Sequence, residues 1–377
     1  MSDLSPSLRF HQVQPQSIKT SYGEFDNVDF LIACGPNRSV VQNSVRIVGD
    51  LKVTSAAGVR SLGGRLFDPK IGAHAFIESL QVNTSNQGML ENIGQSYARY
   101  VGMAGAASLS DNDYCNAKHI CELKASNEKV MVQYANGIAP TLSTATPIIA
   151  DADWSIKPSC CLNKTSGGNV PFNATGTITL TINLARQMSA LYGELQDAAS
   201  GYELSNLRCT FNSVPDSKTP QKVSMRTVHA VKSNILSGSA TVSANVNAVC
   251  DAVSISFLKQ SNENQPQKNN YALEHIKEFN QVQYLMNDQT NSLVTYRIED
   301  QTEVLDRFIS SMYNSGHNQV GLSKFRGNNG WAMGLDFEGP MDLSSNTFTM
   351  ELESGVGSGA ANEPYAVFFY FHSSISL

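Results

Sequence analysis

Hydrophobic and polar residues alternate along much of the chain, and the clearest case is residues 175–183. The sequence there, Thr-Gly-Thr-Ile-Thr-Leu-Thr-Ile-Asn, places Ile178, Leu180 and Ile182 at every second position with threonines between them. Successive side chains of a β-strand point to opposite faces of the sheet, so this period of two predicts a strand with one buried face. Threonine is β-branched and suits the outer face of such a strand.

The same pattern recurs throughout both halves of the chain. Residues 45–53 alternate in the same way. Further strands are predicted at residues 28–34, 74–83, 129–134, 202–211, 223–231, 240–246, 252–258, 282–285, 292–298, 347–352 and 365–372. Clusters of Gly, Asn, Ser and Pro separate these segments. Many short strands divided by turn residues predict an all-β sandwich or barrel.

Three segments instead carry apolar residues at helical spacing. They are residues 89–104, 184–198 and 301–313. Asp300 and Glu303 flank the start of the third segment as in a capping box, with Asp300 as the N-cap. The second segment has an alternative reading as a strand leading into Tyr202, because Gly193 weakens a helix.

The length of the chain sets how many β-sandwiches it can form. Residues 1–20 are polar and lack periodicity, so we expect an N-terminal arm there that is disordered by itself. An eight-stranded jelly roll with its loops needs about 150–200 residues. We therefore predict an all-β fold of two consecutive jelly-roll β-sandwiches with short helical insertions. The first would span residues 21–200 and the second residues 201–377.

Composition narrows the functional classes. Charged residues make up 16% of the chain, against about 25% in typical soluble domains. Ser, Asn, Thr and Gln number 44, 32, 20 and 19, so amides and hydroxyls replace the missing charges. A net charge of −6 over 377 residues is mild for a disordered chain, and helical bundles contain more Glu, Lys and Arg. The acidic balance also argues against a sequence-specific nucleic-acid partner.

Targeting signals and cysteines add little to this picture. The first thirty residues lack the apolar core of a secretory signal, and no apolar run approaches the roughly 20 residues of a membrane-spanning helix. The seven cysteines form no CxxC pair, which favours folding in a reducing compartment.

One cysteine- and histidine-containing segment has the residue types of a metal site. Cys115, His119 and Cys121 follow one another closely, but their spacing matches no common zinc site. A fourth ligand from Cys160 or Cys161 would be a guess. The segment is better explained as a thiol-bearing strand and loop with a surface histidine.

The other motifs also favour structural roles. The acidic pairs Asp111/Asp113 and Asp151/Asp153 lack the further ligands of a calcium loop. The GxGxxA run at residues 355–360 is followed by residues that predict a strand, whereas a dinucleotide site needs a helix. No GxSxG, HExxH or Walker sequence occurs, and the seven histidines are scattered. We therefore predict no catalytic, metal-binding or cofactor-binding residues and no cofactor.

The two tryptophans keep a carbohydrate-binding function open. Trp154 and Trp331 would each be able to stack on a sugar if exposed, as in a β-sandwich lectin. Anchoring a loop is the commoner use of such a tryptophan.

Three stretches of the chain resemble the double jelly-roll major capsid proteins of tailless icosahedral double-stranded DNA viruses, particularly those of polinton-like viruses and virophages. The first combines an early strand pair, a Gly72-x-His74-x-Phe76 strand and an E-x-I…Y segment that begins at Glu91. The second resembles strands that open the second barrel, and the third resembles the closing strands. The stretches are residues 43–53 with 72–82 and 91–100, residues 231–235 with 254–260, and residues 334–343 with 365–372.

The resemblance implies a major capsid protein located in the virion. It implies two upright jelly rolls per chain and a homotrimer that forms a pseudo-hexagonal capsomer. Its partners would be neighbouring capsomers, penton and minor capsid proteins, with an internal membrane as a further candidate. The chain is shorter than the larger members of the family, so long tower loops are not expected. The alternatives are a vertex (penton) or minor capsid protein with one jelly roll plus an added domain, and the carbohydrate-binding module.

Overall fold

The computed structural model describes residues 7–54, 71–108, 122–124, 149–191, 201–217, 222–236, 241–287, 291–312, 325, 330–354 and 363–377. The strands are β1 (Arg9–Val13), β2 (Ser21–Tyr22), β3 (Asn27–Ile32), β4 (Arg38–Val40), β5 (Arg46–Thr54), β6 (Ile77–Thr84), β7 (Gly88–Ile93), β8 (Glu122–Lys124), β9 (Ile149–Ile156), β10 (Thr165–Ser166), β11 (Val170–Pro171), β12 (Ile178–Leu184), β13 (Gly201–Pro215), β14 (Ser224–Ile235), β15 (Thr241–Ala244), β16 (Val249–Lys259), β17 (Phe279–Met286), β18 (Asn291–Arg297), β19 (Met333–Asp342), β20 (Phe348–Ser354) and β21 (Tyr365–Ser376).

Helices are few among these residues. The α-helices are α1 (Tyr97–Ser108), α2 (Phe172–Thr175), α3 (Gln187–Ala190) and α4 (Gln301–Ser311), and 3-10 helices span Gly72–Phe76, Cys161–Asn163 and Gln260–Asn262. The predicted all-β class is confirmed.

The chain divides into two compact units. The first contains Met1–Asn92, Lys118–Val228 and Ser374–Leu377, and the second contains Ile93–Ala117 and His229–Ser373. The chain therefore leaves the first unit, returns to it, and ends in it.

Two antiparallel sheets form the first unit. One runs β11-β4-β13-β5-β9-β8, with β1 and β2 also paired to β13. The other contains β7-β6-β12-β3, in which Leu180 pairs with Phe30 on one side and Val82 on the other. Phe76, at the end of the 3-10 helix that precedes β6, packs against Tyr202 of β13, with ring centroids 4.8 Å apart.

A β-bulge in β13 reverses which residues face the core. Tyr202 and Leu204 are buried before the bulge, and Leu207, Cys209 and Phe211 are buried after it. The register shifts between Ser205 and Arg208, where Asn206 adopts a φ of 51°. An added residue on one strand of a pair produces such a change of face.

The second unit also has two antiparallel sheets. One contains β19-β16-β21 and the other is β15-β20-β17-β18. Phe348 on β20 lies edge-on to Phe369 and Phe371 of β21, at centroid distances of 6.1 and 5.7 Å. Every residue from Tyr365 to Phe371 is buried, so β21 is covered on both faces.

The predicted helix at residues 301–313 is confirmed as α4. The Asp300 carboxylate accepts hydrogen bonds from the backbone N–H groups of Thr302 (3.1 Å) and Glu303 (3.2 Å). Glu303 does not complete the capping box, because its side chain pairs with Arg307 at 2.9 Å. The cap is therefore Asp300 alone.

The first predicted helix, residues 89–104, begins too early. Leu90 and Ile93 belong to β7, and α1 begins at Tyr97. Ser96, with a φ of 55°, occupies the left-handed region between the two elements. The spacing of Leu90, Ile93 and Tyr97 fits a helix by coincidence, because the chain changes direction within it.

The second predicted helix, residues 184–198, is described only over residues 184–191, and it is helical in half of them. Leu184 ends β12, and α3 comprises only Gln187–Ala190. The predicted strand at 129–134 lies outside the described residues. The predicted strand at 74–83 begins at Ile77, because the preceding Gly72–Phe76 forms a 3-10 helix.

Part of the predicted N-terminal arm forms a strand. Residues 9–13 of the arm form β1, because β13 is long enough to pair with β1 and β2 as well as with β5.

Strand β13 follows the domain boundary predicted near residue 200. It begins at Gly201 and pairs within the first unit. The contacts therefore group residues 201–228 with the first unit, and the boundary between the two jelly rolls at residue 200 stays a prediction.

Candidate functional site

Most of the candidate metal ligands that the sequence analysis considered and set aside lie outside the described residues. This applies to Cys115, His119, Cys121, Asp111 and Asp113. Cys160 and Cys161 are fully buried free thiols. Within the described ranges no group of three or more His, Cys, Asp or Glu residues is placed to hold a metal ion.

The remaining acidic pair lies on strand β9. Asp151 and Asp153 belong to β9, where they pair with Lys52 and Asp50 of β5. Asp153 is exposed, and Asp50 accepts a hydrogen bond from the Asn206 amide at 2.6 Å. The GxGxxA run at 355–360 is outside the described part of the chain.

Both tryptophans are buried, so neither offers a face to a sugar. Trp154 is 1% exposed and donates its indole N–H to the Ala73 carbonyl at 2.9 Å. Trp331 is fully buried and donates to the Gln301 side-chain oxygen at 2.9 Å. The carbohydrate-binding alternative loses the residues on which it rested.

One serine–histidine contact appears that the sequence did not reveal. Ser254 Oγ lies 2.8 Å from His372 Nε2, on the neighbouring strands β16 and β21. Ser254 is fully buried and His372 is 4% exposed. Ser254 Oγ also contacts the Ser311 hydroxyl at 3.1 Å and Met312 Sδ at 3.0 Å. A nucleophile needs access to a substrate, and this pair has none, so it is an internal hydrogen bond.

A buried carboxylate links three segments of the first unit. Glu91 on β7 is fully buried, and its two oxygens accept the backbone N–H groups of Cys161 (2.7 Å) and Val228 (3.1 Å). Burial raises the pKa of Glu91 to about 7, although Lys164 and the two hydrogen bonds act in the opposite direction. Glu91 thus satisfies two backbone groups that would otherwise be buried without partners.

A buried arginine has a corresponding role in the second unit. Arg99 on α1 is 1% exposed and donates to the backbone carbonyls of Ala272 and Asn270. Its guanidinium lies 4.5 Å from the centre of the Phe368 ring. The sequence analysis assigned no role to Arg99, or to Glu91 beyond the resemblance. The sequence feature that could have identified both residues is a charged residue within an otherwise apolar segment.

Large apolar side chains are exposed at a few places. Leu8, Phe10, Ile18 and Phe25 are 62%, 68%, 100% and 68% exposed. Leu8, Phe10 and Ile18 lie in the stretch of residues 1–20 that the sequence analysis interpreted as a polar arm, and Phe25 follows it closely. The described residues contain no helix long and apolar enough to cross a membrane.

Comparison with known proteins finds similarity in structure but not in sequence. No family model matches the chain, and no curated protein matches it. The structure is similar to the Faustovirus major capsid protein, with a TM-score of 0.65 and 8% identity over 99% of this chain and 90% of that chain. It is also similar to a chain of the PBCV-1 virus capsid, with a TM-score of 0.59 and 11% identity over 99% and 95%.

A third match extends the set. The mavirus major capsid protein has a TM-score of 0.51 and 12% identity, over 98% of this chain and 90% of that chain. The matched regions include both units, and each unit is built of two antiparallel sheets. The chain therefore has the double jelly-roll fold of these major capsid proteins.

Proposed function

We propose that the chain is a major capsid protein, which self-assembles as trimeric pseudo-hexagonal capsomers that tile an icosahedral shell around a double-stranded DNA genome. The observation that carries the proposal is the match of 98–99% of this chain to 90–95% of the chains of viral capsid structures. A chain with two jelly rolls supplies six when three chains join about a three-fold axis. A tile with a hexagonal outline can be built from six such jelly rolls.

The internal chemistry supports a structural role. Three buried polar residues bind other groups of the chain: Glu91 and Arg99 bind backbone groups, and Ser254 binds the His372 side chain. None of these three residues is more than 1% exposed. The function we propose involves assembly without catalysis.

The partners follow from this role. The chain would bind identical chains within the capsomer, neighbouring capsomers across the shell, and penton and minor capsid proteins where the tiling changes. An internal membrane would be a further contact surface. The vertex-protein alternative was based on one jelly roll plus an added domain, whereas each of the two units contains two antiparallel sheets, which supports two jelly rolls.

Light scattering of the purified chain tests the proposal. We expect a species with three times the mass of one chain, and hexagonal tiles of that species by negative-stain electron microscopy. Such obligate interfaces typically bury about 2,000–5,000 Å², so the trimer should persist on dilution. A stable monomer, alone and in the presence of penton and minor capsid proteins, would refute the proposal.

A further inference from the structure

Strand β1 is attached to its sheet with little buried side-chain surface. It pairs with β13 over five residues, from Arg9 opposite Ser213 to Val13 opposite Cys209. None of the five residues of β1 is buried, and only His11 and Val13 are half-buried. Strand β12, by comparison, buries four of its seven residues. Segments with few buried contacts open at a low cost in free energy, so a single side-chain contact can decide whether β1 stays attached.

His11 supplies such a contact between β1 and β13. Its ring stacks on Phe211, with centroids 4.6 Å apart and an interplanar angle of 3°, and its Nε2 atom lies 2.7 Å from Ser213 Oγ. Ser213 is fully buried, and its hydroxyl also accepts a hydrogen bond from Arg38 Nε at 2.9 Å. Arg38 donates in addition to the carbonyl of Ser7, close to the start of β1, at 3.0 Å. The Ser213 hydroxyl therefore lies between an arginine and His11.

The two neighbours of the Ser213 hydroxyl determine where its hydrogen points. Arginine can only donate, so the hydroxyl oxygen accepts from Arg38. The hydroxyl has one hydrogen to donate, and the other partner that the structure describes for it is His11 Nε2. His11 is therefore bound as a neutral imidazole that accepts at Nε2. A proton on Nε2 would leave the buried Ser213 hydrogen without its acceptor, which is unfavourable.

The charges beside His11 also favour its neutral form. Partial burial, the Arg38 guanidinium on β4 and the Arg9 guanidinium on β1 lower the pKa of His11 below its usual value of 6.5. An imidazolium this close to two arginines is repelled by both. The stack on Phe211 is open to either form of the ring, so the pH dependence rests on the hydrogen bond and the two arginines.

The other titratable groups on the strands that pack against β1 do not offset these two arginines. Asp216, directly after β13, accepts the hydroxyl of a serine at 2.6 Å, and Asp29 on β3 accepts the hydroxyl of a threonine at 2.5 Å. Burial raises the pKa of Cys209 on β13 to about 12, so this thiol stays neutral. Glu203 lies before the bulge of β13, where it pairs with β5, and Arg208 alternates with the buried residues of β13 and points to the other face.

We propose that His11 is an acid-sensitive switch that releases strand β1 from β13 when its imidazole is protonated. Above about pH 6.5 the neutral ring accepts the Ser213 hydrogen, and β1 stays attached. As the pH falls below this value, the released strand binds the proton more tightly than the attached strand does. Acidification therefore favours release. The switch concerns one strand of the first unit and does not depend on the proposed function.

Hydrogen exchange of the full chain at pH 7.5 and pH 5.0 tests the switch. Protection of residues 7–13 is obtained by dividing the exchange rates by the intrinsic rates at each pH, and β12 is the internal reference. The variant His11→Gln keeps an uncharged hydrogen-bond acceptor at both pH values. His229→Gln is the matched control, because His229 is a half-buried histidine of the second unit whose pKa is also lowered by burial. Thermal unfolding verifies that both variants are folded.

We expect the protection of residues 7–13 in the unmodified chain to fall by about 3- to 30-fold at pH 5.0, the upper limit being set by the ordinary histidine pKa. His229→Gln should show the same fall, His11→Gln should lose most of it, and the protection of β12 should stay constant. Equal protection of residues 7–13 at the two pH values would overturn the proposal. So would an undiminished fall in His11→Gln, or a parallel fall in β12, which would indicate that the whole unit unfolds.

Discussion

Single buried polar residues hold together segments that are distant in the chain. Glu91 accepts hydrogen bonds from backbone N–H groups that lie 70 and 137 positions away in the sequence. Arg99 donates hydrogen bonds to backbone carbonyls more than 170 positions away. Each satisfies two backbone groups with one side chain. A buried charged group that loses its partners is costly, so these residues should be among the most sensitive in the chain.

Glu91 should make stability depend on pH in a definite direction. The folded chain keeps the carboxyl proton up to a pKa of about 7, whereas the ordinary value is 4.5. The stabilisation is therefore fully present below about pH 4.5 and is lost as the pH rises through about 7. A difference of this size corresponds to about 3 kcal/mol at most. Urea unfolding of the unmodified chain and Glu91→Gln, from pH 4 to 8, measures it.

We expect the unfolding free energy of the unmodified chain to fall relative to that of Glu91→Gln as the pH rises. Glu203→Gln is the matched control, because Glu203 is an exposed carboxylate on β13 of the same unit. A difference between the two unfolding free energies that stays constant across the pH range would contradict the assignment of the raised pKa to Glu91.

Gly334 on β19 should not tolerate a side chain. A Cβ at this position would overlap Ser311 Oγ and lie 2.6 Å from Ser311 Cβ and 3.1 Å from Phe308 Cα, both on α4. We expect Gly334→Ala to destabilise the chain by roughly 1–3 kcal/mol, as overpacking usually does. Gly339→Ala on the same strand has nothing within 4 Å and is the control in thermal unfolding. Equal melting temperatures for the two variants would contradict this close packing.

At the scale of elements, the start of α4 is determined by its local sequence, and its position is determined by tertiary packing. Its first turn is capped by Asp300, and its buried side includes Val304 and Phe308. The helix contacts β16, β18 and β19 of the second unit. These contacts place Ser311 beside Gly334.

Removing the cap should weaken α4 without changing its packing. We expect Asp300→Ala to lower the free energy of unfolding by about 0.5–2 kcal/mol, since two backbone N–H groups lose their acceptor. Asp306→Ala, at an exposed position in the middle of the helix, should be neutral or slightly stabilising because alanine favours helices. Chemical denaturation compares them. A larger loss from Asp306→Ala than from Asp300→Ala would contradict the capping role.

Elements with an unbroken period were predictable from the sequence, and those with an interruption were not. Ile178, Leu180 and Ile182 of β12 are all fully buried, as their alternation indicated. The change from β7 to α1 depends on the left-handed Ser96, and the bulge in β13 on Asn206. Both conformations are stabilised by neighbours that are remote in sequence, so local pattern could not reveal them.

At the scale of the whole molecule, the sequence predicted two bodies but not the path of the chain between them. A strand has the same alternation whichever sheet it joins, so nothing local assigns β13 to the first unit. The burial of Trp154 and Trp331, and the exposure of Leu8 and Phe10, likewise depend on tertiary contacts. The prediction that no catalytic site exists rested on the absence of sequence motifs. Catalytic residues that are distant in sequence can come together in a fold without forming such a motif.

The most direct test of the capsid proposal is an electron cryo-microscopy reconstruction of the assembled, purified chain. We predict capsomers of three chains, each chain contributing two jelly rolls to a tile with a pseudo-hexagonal outline. Those tiles should associate edge to edge in a closed shell. A reconstruction of an isolated monomer, or of an assembly in which each chain contributes a single jelly roll around a five-fold axis, would contradict the account.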